Sequence, residues 1–221
     1  MAATSNSLTT ATYDVGCVRC ERLASFLADV RQRFPDYHAL PVPSFGDERA
    51  RLLIVGLAPG MHGANRTGRP FTGDHAGLLL YETLHQYGFA NRADALQIDD
   101  GLELTDCRIT NAVKCLPPQN KPVAAEVAHC SDYLRNEINA LPADAVIMCL
   151  GGLAHGAVLR VLGLRKLAYP FGHAHVHELP EGRILVDSYH CSRYNTQTGR
   201  LTPPMFQQVF DKITHILGTR A

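Results

Sequence analysis

The chain has 221 residues, and 21 Lys and Arg residues balance 21 Asp and Glu residues, so the formal net charge is zero. Its hydrophobic fraction of 46% is enough to close a hydrophobic core, which excludes disorder over most of the length. Zero net charge provides no overall basic surface, so composition alone argues mildly against a nucleic-acid-binding protein. No apolar run is long enough to cross a membrane, and residues 1–12 lack a signal-peptide core, so a soluble intracellular protein is expected.

Hydrophobic periodicity predicts helices and strands that alternate along a single domain at residues 13–221, after a disordered tail at residues 1–12. In chain order, the prediction comprises a helix at 23–34, a strand at 51–56, a helix opened by Asp74, a strand at 108–113, a helix at 123–141, a strand at 145–150, a helix ending near 162, a strand at 183–187 and a last helix at 206–217. Strands that alternate with helices indicate an α/β fold with a layered, parallel sheet.

Three long loops follow strands of this predicted sheet, at residues 57–74, 114–121 and 189–202. All three are rich in His, Asn, Arg, Gly and Pro, and neither GxxxxGK[ST] nor GxGxxG occurs in the first, so the usual signatures of nucleotide cofactors are missing there. In parallel α/β sheets the working residues lie on loops beyond the carboxyl ends of the strands. The three loops together therefore predict an active site.

The seven cysteines are an odd number in a chain without a secretory signal, which argues against a disulfide framework and leaves metal binding or buried thiols. Cys17 and Cys20 form a C-x₂-C pair, Cys115 follows a predicted strand, and Cys130 lies on the apolar face of a predicted helix. Four thiolates suit zinc or an iron–sulfur cluster, and the spacing alone does not choose between them. A chance pair or a redox dithiol is the alternative, although no strand precedes the pair as a thioredoxin-type dithiol requires.

The three loops carry motifs that resemble those of the family 5 uracil-DNA glycosylases. They are GLAPGMHGANRTGRPFTGD at residues 56–74, NAVKCLPPQNKP at 111–122 and YHCSRYNTQTGRLT at 189–202, and the resemblance covers roughly residues 14–217. Iron–sulfur glycosylases of family 4 have Glu after the first glycine of the first motif, whereas this chain has Leu57, as family 5 does. The resemblance implies one three-layer α/β domain, in which helices flank a central, mainly parallel sheet.

Cleavage of an N-glycosidic bond places positive charge on the sugar and negative charge on the departing base. The resemblance implies that Asp74 stabilises the sugar cation and positions a water molecule; a helix N-cap is the alternative, and the two roles are compatible. It also implies that His190 donates a hydrogen bond to a base carbonyl, although a lone histidine is more often structural. Asn120 completes the predicted catalytic set, with a turn residue as its alternative.

The predicted substrate-binding residues are Gly56, Ala58, Phe71, Asn111 and Asn195. An amide offers a donor and an acceptor together, which suits the edge of uracil or hypoxanthine, so Asn120 and Asn195 are expected to read the base. A core hydrogen-bonding role is the alternative for Asn111. Phe71 is expected to stack on an extruded base, because glycosylases read flipped bases between aromatic or apolar groups. The alternative is that Phe71 packs in the hydrophobic core.

The resemblance implies that the third loop enters DNA and fills the gap that the flipped base leaves. The residues expected to do so are Ser192, Arg193 and Tyr194. Positive charge is concentrated on the three loops, and phosphate contacts need local rather than net charge. The basic residues concerned are Arg66, Arg69, Lys114, Lys121, Arg193 and Arg200. Solvated loop charges without a partner are the alternative interpretation.

The resemblance further implies that Cys17, Cys20, Cys115 and Cys130 hold a four-iron, four-sulfur (4Fe-4S) cluster, which it favours over zinc. The predicted function is a monofunctional DNA glycosylase that hydrolyses the N-glycosidic bond of uracil and other deaminated bases (hypoxanthine, xanthine) and initiates base excision repair. The expected partner is DNA that contains these bases, with no membrane, and the protein is expected to be a cytoplasmic, nucleoid-associated monomer. One alternative is a noncatalytic module that contains an iron–sulfur cluster or zinc and binds nucleic acid. The other is an α/β hydrolase that acts on small molecules and carries a structural zinc ion.

Overall fold

The computed structural model describes residues 12–219, so the tail predicted at residues 1–12 lies outside the described residues except for Thr12. Within this range, the helices are α1 Glu21–Arg33, α2 Ala64–Thr67, α3 His75–Gln86, α4 Ala124–Asn139, α5 Gly152–Val161, α6 Arg193–Gln197 and α7 Pro203–Thr219. The strands are β1 Phe45–Gly46, β2 Leu52–Gly56, β3 Cys107–Asn111, β4 Val146–Leu150, β5 Val176–Glu178 and β6 Ile184–Ser188. No helix in this range combines the length and the apolar character needed to cross a bilayer.

The strands form one six-stranded sheet in the order β1-β3-β2-β4-β6-β5. The four inner strands run parallel, whereas β1 and β5 are antiparallel edge strands. This arrangement confirms the predicted mainly parallel sheet. The two edge strands were not predicted, because segments of two and three residues are too short to show an alternating pattern.

Both faces of the sheet are covered by helices, because successive side chains of a strand point to opposite faces. Leu52 and Ile54 of β2 belong to a core formed with α3 and α7, whereas Leu53 and Val55 belong to a core formed with α4 and α5. Strand β2 is buried at every position, as expected for an inner parallel strand. The predicted three-layer α/β architecture is therefore confirmed.

Helix α1 packs at a separate corner of the molecule, where a third core joins it to the segment after β3 and to α4. Leu23 and Leu27 are buried there against Val113. The Arg22 guanidinium donates two hydrogen bonds of 2.8 Å to the Glu126 carboxylate, which ties α1 to the first turn of α4. This corner contains the four cysteines that were singled out in the sequence.

Two of the predicted loops contain short helices, so the expectation of irregular structure throughout them is wrong. Helix α2 lies in the first loop and ends at Gly68, which has a left-handed φ of 80°. Helix α6 lies in the third loop and is capped by Ser192, whose Oγ accepts a hydrogen bond from the Asn195 backbone. Helices of four and five residues carry no usable periodicity, and tertiary packing rather than local propensity stabilises them.

Candidate active site

A cavity of about 270 Å³ opens at the carboxyl ends of β2, β3 and β6, where the three predicted loops meet. It is smaller than the about 300–1,000 Å³ of sites for drug-sized molecules, which suits a single base. Its lining comprises Leu57, Ala58, Gly60, Ala64, Phe71, Asp74, Ala76, Asn111, Asn120, His190 and Ser192. Seven residues predicted from the sequence are therefore brought together here. Gly56, Arg193, Tyr194 and Asn195 lie outside the lining.

Asp74 is the carboxylate of this cavity, and it caps helix α3. Its Oδ1 accepts a hydrogen bond of 3.0 Å from the Gly77 backbone, so the N-cap prediction is confirmed. Burial raises the pKa of Asp74, and hydrogen bonds from the Gly77 and Ala76 amides partly oppose that increase. The carboxylate is therefore a stronger proton acceptor than a solvated aspartate.

The position of Asp74 depends on Gly63, which was not singled out in the sequence. A Cβ atom at residue 63 would lie 2.3 Å from Asp74 Oδ2 and 2.6 Å from Asp74 Cβ. Because the second contact involves the Cβ atom of Asp74, rotation of the carboxylate does not relieve it. The density of glycines in the first motif was the available signal, but sequence alone does not show which glycine faces which side chain.

His190 is neutral in the cavity wall. Burial lowers the pKa of His190 to about 4, and its buried Nδ1 has no hydrogen-bond partner. A neutral imidazole has one donor and one acceptor nitrogen, so the ring is able to bind a polar group that enters the cavity. The Asn195 side chain donates a hydrogen bond of 2.8 Å to the His190 carbonyl, so Asn195 holds the His190 backbone from outside the lining.

Asn111 ends β3 with its amide at the cavity, and its buried Oδ1 also lacks a partner. An unsatisfied buried acceptor costs about 1–3 kcal/mol, which indicates a group kept available for a ligand. Gly56 lies behind it: a Cβ atom there would come within 2.4 Å of Asn111 Oδ1 and 2.8 Å of Phe71 Cζ. Gly56 thus makes room for two lining side chains, while Ala58 contributes to the lining itself.

Two lining residues adopt the left-handed backbone conformation that favours glycine. Phe71 has a φ of 55° and Asn120 a φ of 56°, and conformations of this kind cost about 1–3 kcal/mol each. The Phe71 ring lies 5.9 Å from the His190 ring, centroid to centroid. The Phe71 carbonyl packs so closely on α3 that a Cβ atom at Gly77 would lie 1.9 Å from its oxygen. The fold therefore holds the aromatic ring in one place at a cost in backbone energy.

The four cysteines predicted as ligands are near one another at the corner that α1 closes. Burial raises the pKa of Cys20 to about 11 and that of Cys115 to about 12, and in both cases neighbouring cysteines of the set raise it further. Thiolates that disfavour one another in this way suit a shared cationic centre. Four thiols gathered in this way form a donor set that suits zinc or an iron–sulfur cluster.

Two of the loop cations predicted to contact phosphate are internal, so that prediction is wrong for them. Arg69 is 4% exposed and pairs with Asp100 at 2.7 Å, and Lys114 is 2% exposed and pairs with Glu137 at 2.8 Å. Buried charges are stable only when they are paired, and these two are used in that way. Arg193 remains exposed beside the cavity.

A second cleft of about 420 Å³ adjoins the cavity and shares Asp74 with it. Arg66 and Arg193 line this cleft together with His62 and His75. The His75 side chain hydrogen-bonds to Thr196 Oγ1 at 2.9 Å, which docks α6 on the start of α3. Positive charge is therefore present at the mouth of the cavity, on the side of Asp74.

The fold and the cavity agree with the family model described as the uracil DNA glycosylase superfamily, which matches residues 43–214. The type-5 uracil-DNA glycosylase of Thermus thermophilus is 46% identical over 207 residues, which cover 91% of this chain and 94% of that protein. The type-5 uracil-DNA glycosylase of Pyrobaculum aerophilum is 44% identical over 88% of this chain and 86% of that protein.

The type-4 uracil-DNA glycosylase of Archaeoglobus fulgidus is similar over a shorter stretch, with 37% identity over 56% of this chain and 54% of that protein. The chain belongs to the type-5 family within the uracil DNA glycosylase superfamily. This finding confirms the resemblance seen in the three motifs.

Proposed function

We propose that this chain is a monofunctional uracil-DNA glycosylase, which hydrolyses the N-glycosidic bond of uracil in DNA and initiates base excision repair. The observation that carries the proposal is a buried carboxylate, Asp74, in a base-sized cavity that also presents two unpartnered polar atoms, Asn111 Oδ1 and His190 Nδ1. Type-5 relatives that carry the name of this activity match the chain over about nine-tenths of its length.

Asp74 acts on the sugar side of the reaction. As the bond between C1′ and N1 of uracil breaks, its electron pair leaves with the base, and the carboxylate stabilises the positive charge that develops on the sugar. A water molecule then adds to C1′ and gives up a proton. Because burial raises the pKa of Asp74, this carboxylate is suited to accept that proton.

His190, Asn111 and Phe71 act on the base side. The neutral His190 ring donates a hydrogen bond to a uracil carbonyl as negative charge develops there, and Asn111 Oδ1 accepts from the ring N–H of the base. Phe71 stacks on the extruded base, held in place by its close contacts. Asn120 lies exposed at the mouth of the cavity, where its amide completes the contacts.

Water rather than an amine is the nucleophile in this proposal. No lysine contributes to the cavity lining within residues 12–219, and the loop lysine Lys114 is buried in its pair with Glu137. A Schiff-base mechanism needs an amine within reach of C1′. The product is therefore an abasic site in an intact strand.

We extend the proposal to hypoxanthine and xanthine. Both bases present a carbonyl beside a ring N–H, which is the edge that His190 and Asn111 read in uracil. Exposed Arg193 and Tyr194, together with Ser192 at the start of α6, contact the DNA around the flipped nucleotide. We propose that the protein acts as a monomer with a single catalytic domain at residues 13–221. A DNA substrate further supports action in the cytoplasm at the nucleoid.

We propose that Cys17, Cys20, Cys115 and Cys130 hold a 4Fe-4S cluster. The cluster supplies a cationic centre that binds the four thiolates and so fastens α1 to β3 and α4. Cys130→Ser is expected to lower the iron content and the brown colour of the purified protein. Cys149→Ala is the matched control, because Cys149 is a buried thiol of β4 outside the set. Equal iron in wild type and Cys130→Ser would remove Cys130 from the ligand set.

The activity is tested with labelled duplexes that carry one uracil, hypoxanthine or xanthine, followed by alkali, which cleaves the strand at abasic sites. Wild-type protein is expected to yield cleavage after alkali and none before it. A protein that binds these duplexes without producing abasic sites is the noncatalytic module instead. Strand cleavage without alkali would contradict the monofunctional mechanism.

A further inference from the structure

A second cluster of chemically active side chains lies in the protein interior, away from the cavity lining. Asp187 of β6 is completely buried, and its two carboxylate oxygens contact two histidines. Oδ1 lies 2.7 Å from Nδ1 of His155 in α5, and Oδ2 lies 2.9 Å from Nε2 of His177 in β5. One ligand atom from each of the three lies within 4.8 Å of the others.

A carboxylate with no exposure requires a positive partner. No lysine or arginine within residues 12–219 pairs with Asp187. The other nitrogen of His155, Nε2, lies 2.9 Å from the Tyr169 carbonyl oxygen, which only accepts hydrogen bonds. A cation bound between the three side chains would supply that positive charge.

We propose that His155, His177 and Asp187 bind one divalent transition-metal ion of the zinc class. Two imidazole nitrogens and a carboxylate are a donor set that zinc accepts, with a fourth position left for water. A metal on His155 Nδ1 leaves that ring neutral, and its Nε2–H then donates to the Tyr169 carbonyl. Metal-bound histidines characteristically make such a contact to a carbonyl or carboxylate.

The surroundings of the three ligands are built for this role. The Gly172 amide donates a hydrogen bond of 3.4 Å to Asp187 Oδ2, and His177, whose side chain is 9% exposed, is the least buried of the three ligands. Tetrahedral bonds of about 2.0–2.2 Å place ligand atoms roughly 3.3–3.6 Å apart, so each nitrogen–oxygen contact lengthens by about half an ångström or more when an ion binds.

The bound ion joins three elements, α5, β5 and β6, by one centre. His190 follows Asp187 by three residues, just after the end of β6, so the centre braces the strand from which the third motif extends. Its role is structural, and it is independent of base excision because none of its ligands lines the cavity.

The experiment uses the iron-loaded wild-type protein, stripped of loose metal with EDTA and then dialysed against Zn²⁺. Zinc and iron are measured in the same sample, so that zinc replacing the cluster is recognised by loss of iron. The wild type is expected to retain one zinc ion in addition to its full iron content, and zinc is expected to raise Tm by roughly 5 °C.

The variants Asp187→Asn and His177→Gln are expected to bind zinc at least about tenfold more weakly, with unchanged iron. His175→Gln is the matched control, because His175 is exposed and its ring lies 6.0 Å from that of His177, outside the ligand set. If Asp187→Asn does not fold, His177→Gln decides, since it leaves the contact of His155 with Asp187 intact. Wild type that retains no zinc, or His177→Gln that retains as much as wild type, would overturn the proposal.

Discussion

Polar side chains in the three motifs are buried in two different ways. Lys114 and Arg69 are held in buried ion pairs with acidic partners, whereas Asn111 Oδ1 and His190 Nδ1 have no partner at all. Both kinds lie near the same edge of the sheet and within the same motifs. A satisfied group stabilises the fold, while an unsatisfied one lowers stability and stays available to a ligand. The unpartnered atoms of Asn111 and His190 line the cavity, and the paired cations Lys114 and Arg69 belong to the framework, whereas Asn65 Oδ1 is a third unpartnered buried atom that lies outside the cavity lining.

The largest effect that tests this contrast is expected for Asp74→Asn. The variant loses the negative charge, yet Asn remains a good N-cap, so stability is expected to change by less than about 0.5 kcal/mol. Excision of uracil is expected to fall by about 10³-fold or more, because the sugar cation loses its counter-charge. Single-turnover rates and DNA affinity measured on the same preparation check this. Activity within about tenfold of wild type would leave Asp74 with capping alone.

The framework side of the contrast is tested by Lys114→Met. This change leaves the Glu137 carboxylate buried without its partner, which is expected to lower the free energy of unfolding by about 3–5 kcal/mol. Urea unfolding is the measurement. The double variant Lys114→Met/Glu137→Leu is expected to recover most of the loss because no charge is left unpaired. Two additive losses would show that the pair is not coupled.

A smaller loss of activity, about 10²-fold, is expected for His190→Gln, together with a change in how the stability of the protein depends on pH.

Native His190 has a pKa of about 4, below its unfolded value of about 6.5, so the unfolded chain binds more protons than the native chain between these pH values. Wild-type stability should therefore fall as pH decreases from 6.5 towards 4, and this component should be missing in the variant. Thermal unfolding at several pH values compares the two; parallel curves would contradict the burial of a neutral ring.

The smallest effect is expected for Arg193→Ala, which removes an exposed cation at the mouth of the cavity. DNA binding should weaken a few-fold, with the slope of log affinity against log salt reduced by about 1, while stability is unchanged. Arg69→Ala is the contrasting variant, since it should lower stability without altering the salt slope. A changed salt slope in Arg69→Ala, or an unchanged salt slope in Arg193→Ala, would contradict this assignment of the two arginines.

Much of the fold followed from the sequence, because the inner strands and long helices carry clear periodicity. Strand β2 is an apolar run that ends at a glycine, and α3 begins directly after a capping residue. The motifs also located Phe71, Asn111 and His190 at one cavity. The partner of a loop cation was not predictable. From the sequence, Arg69 is expected to be exposed to solvent, whereas the fold places it against Asp100, which lies 31 positions later in the chain. Contacts between distant residues have no local signature.

The close approach of residue 63 to Asp74 gives a criterion for interpreting other sequences. Any side chain at that position meets the Cβ atom of the aspartate, so the acid and the glycine opposite it form an obligatory pair. A chain with an aspartate in the matching place but a larger residue at position 63 has to place its carboxylate elsewhere. Such a chain should be assigned to a different chemistry, however well the rest of the motif aligns.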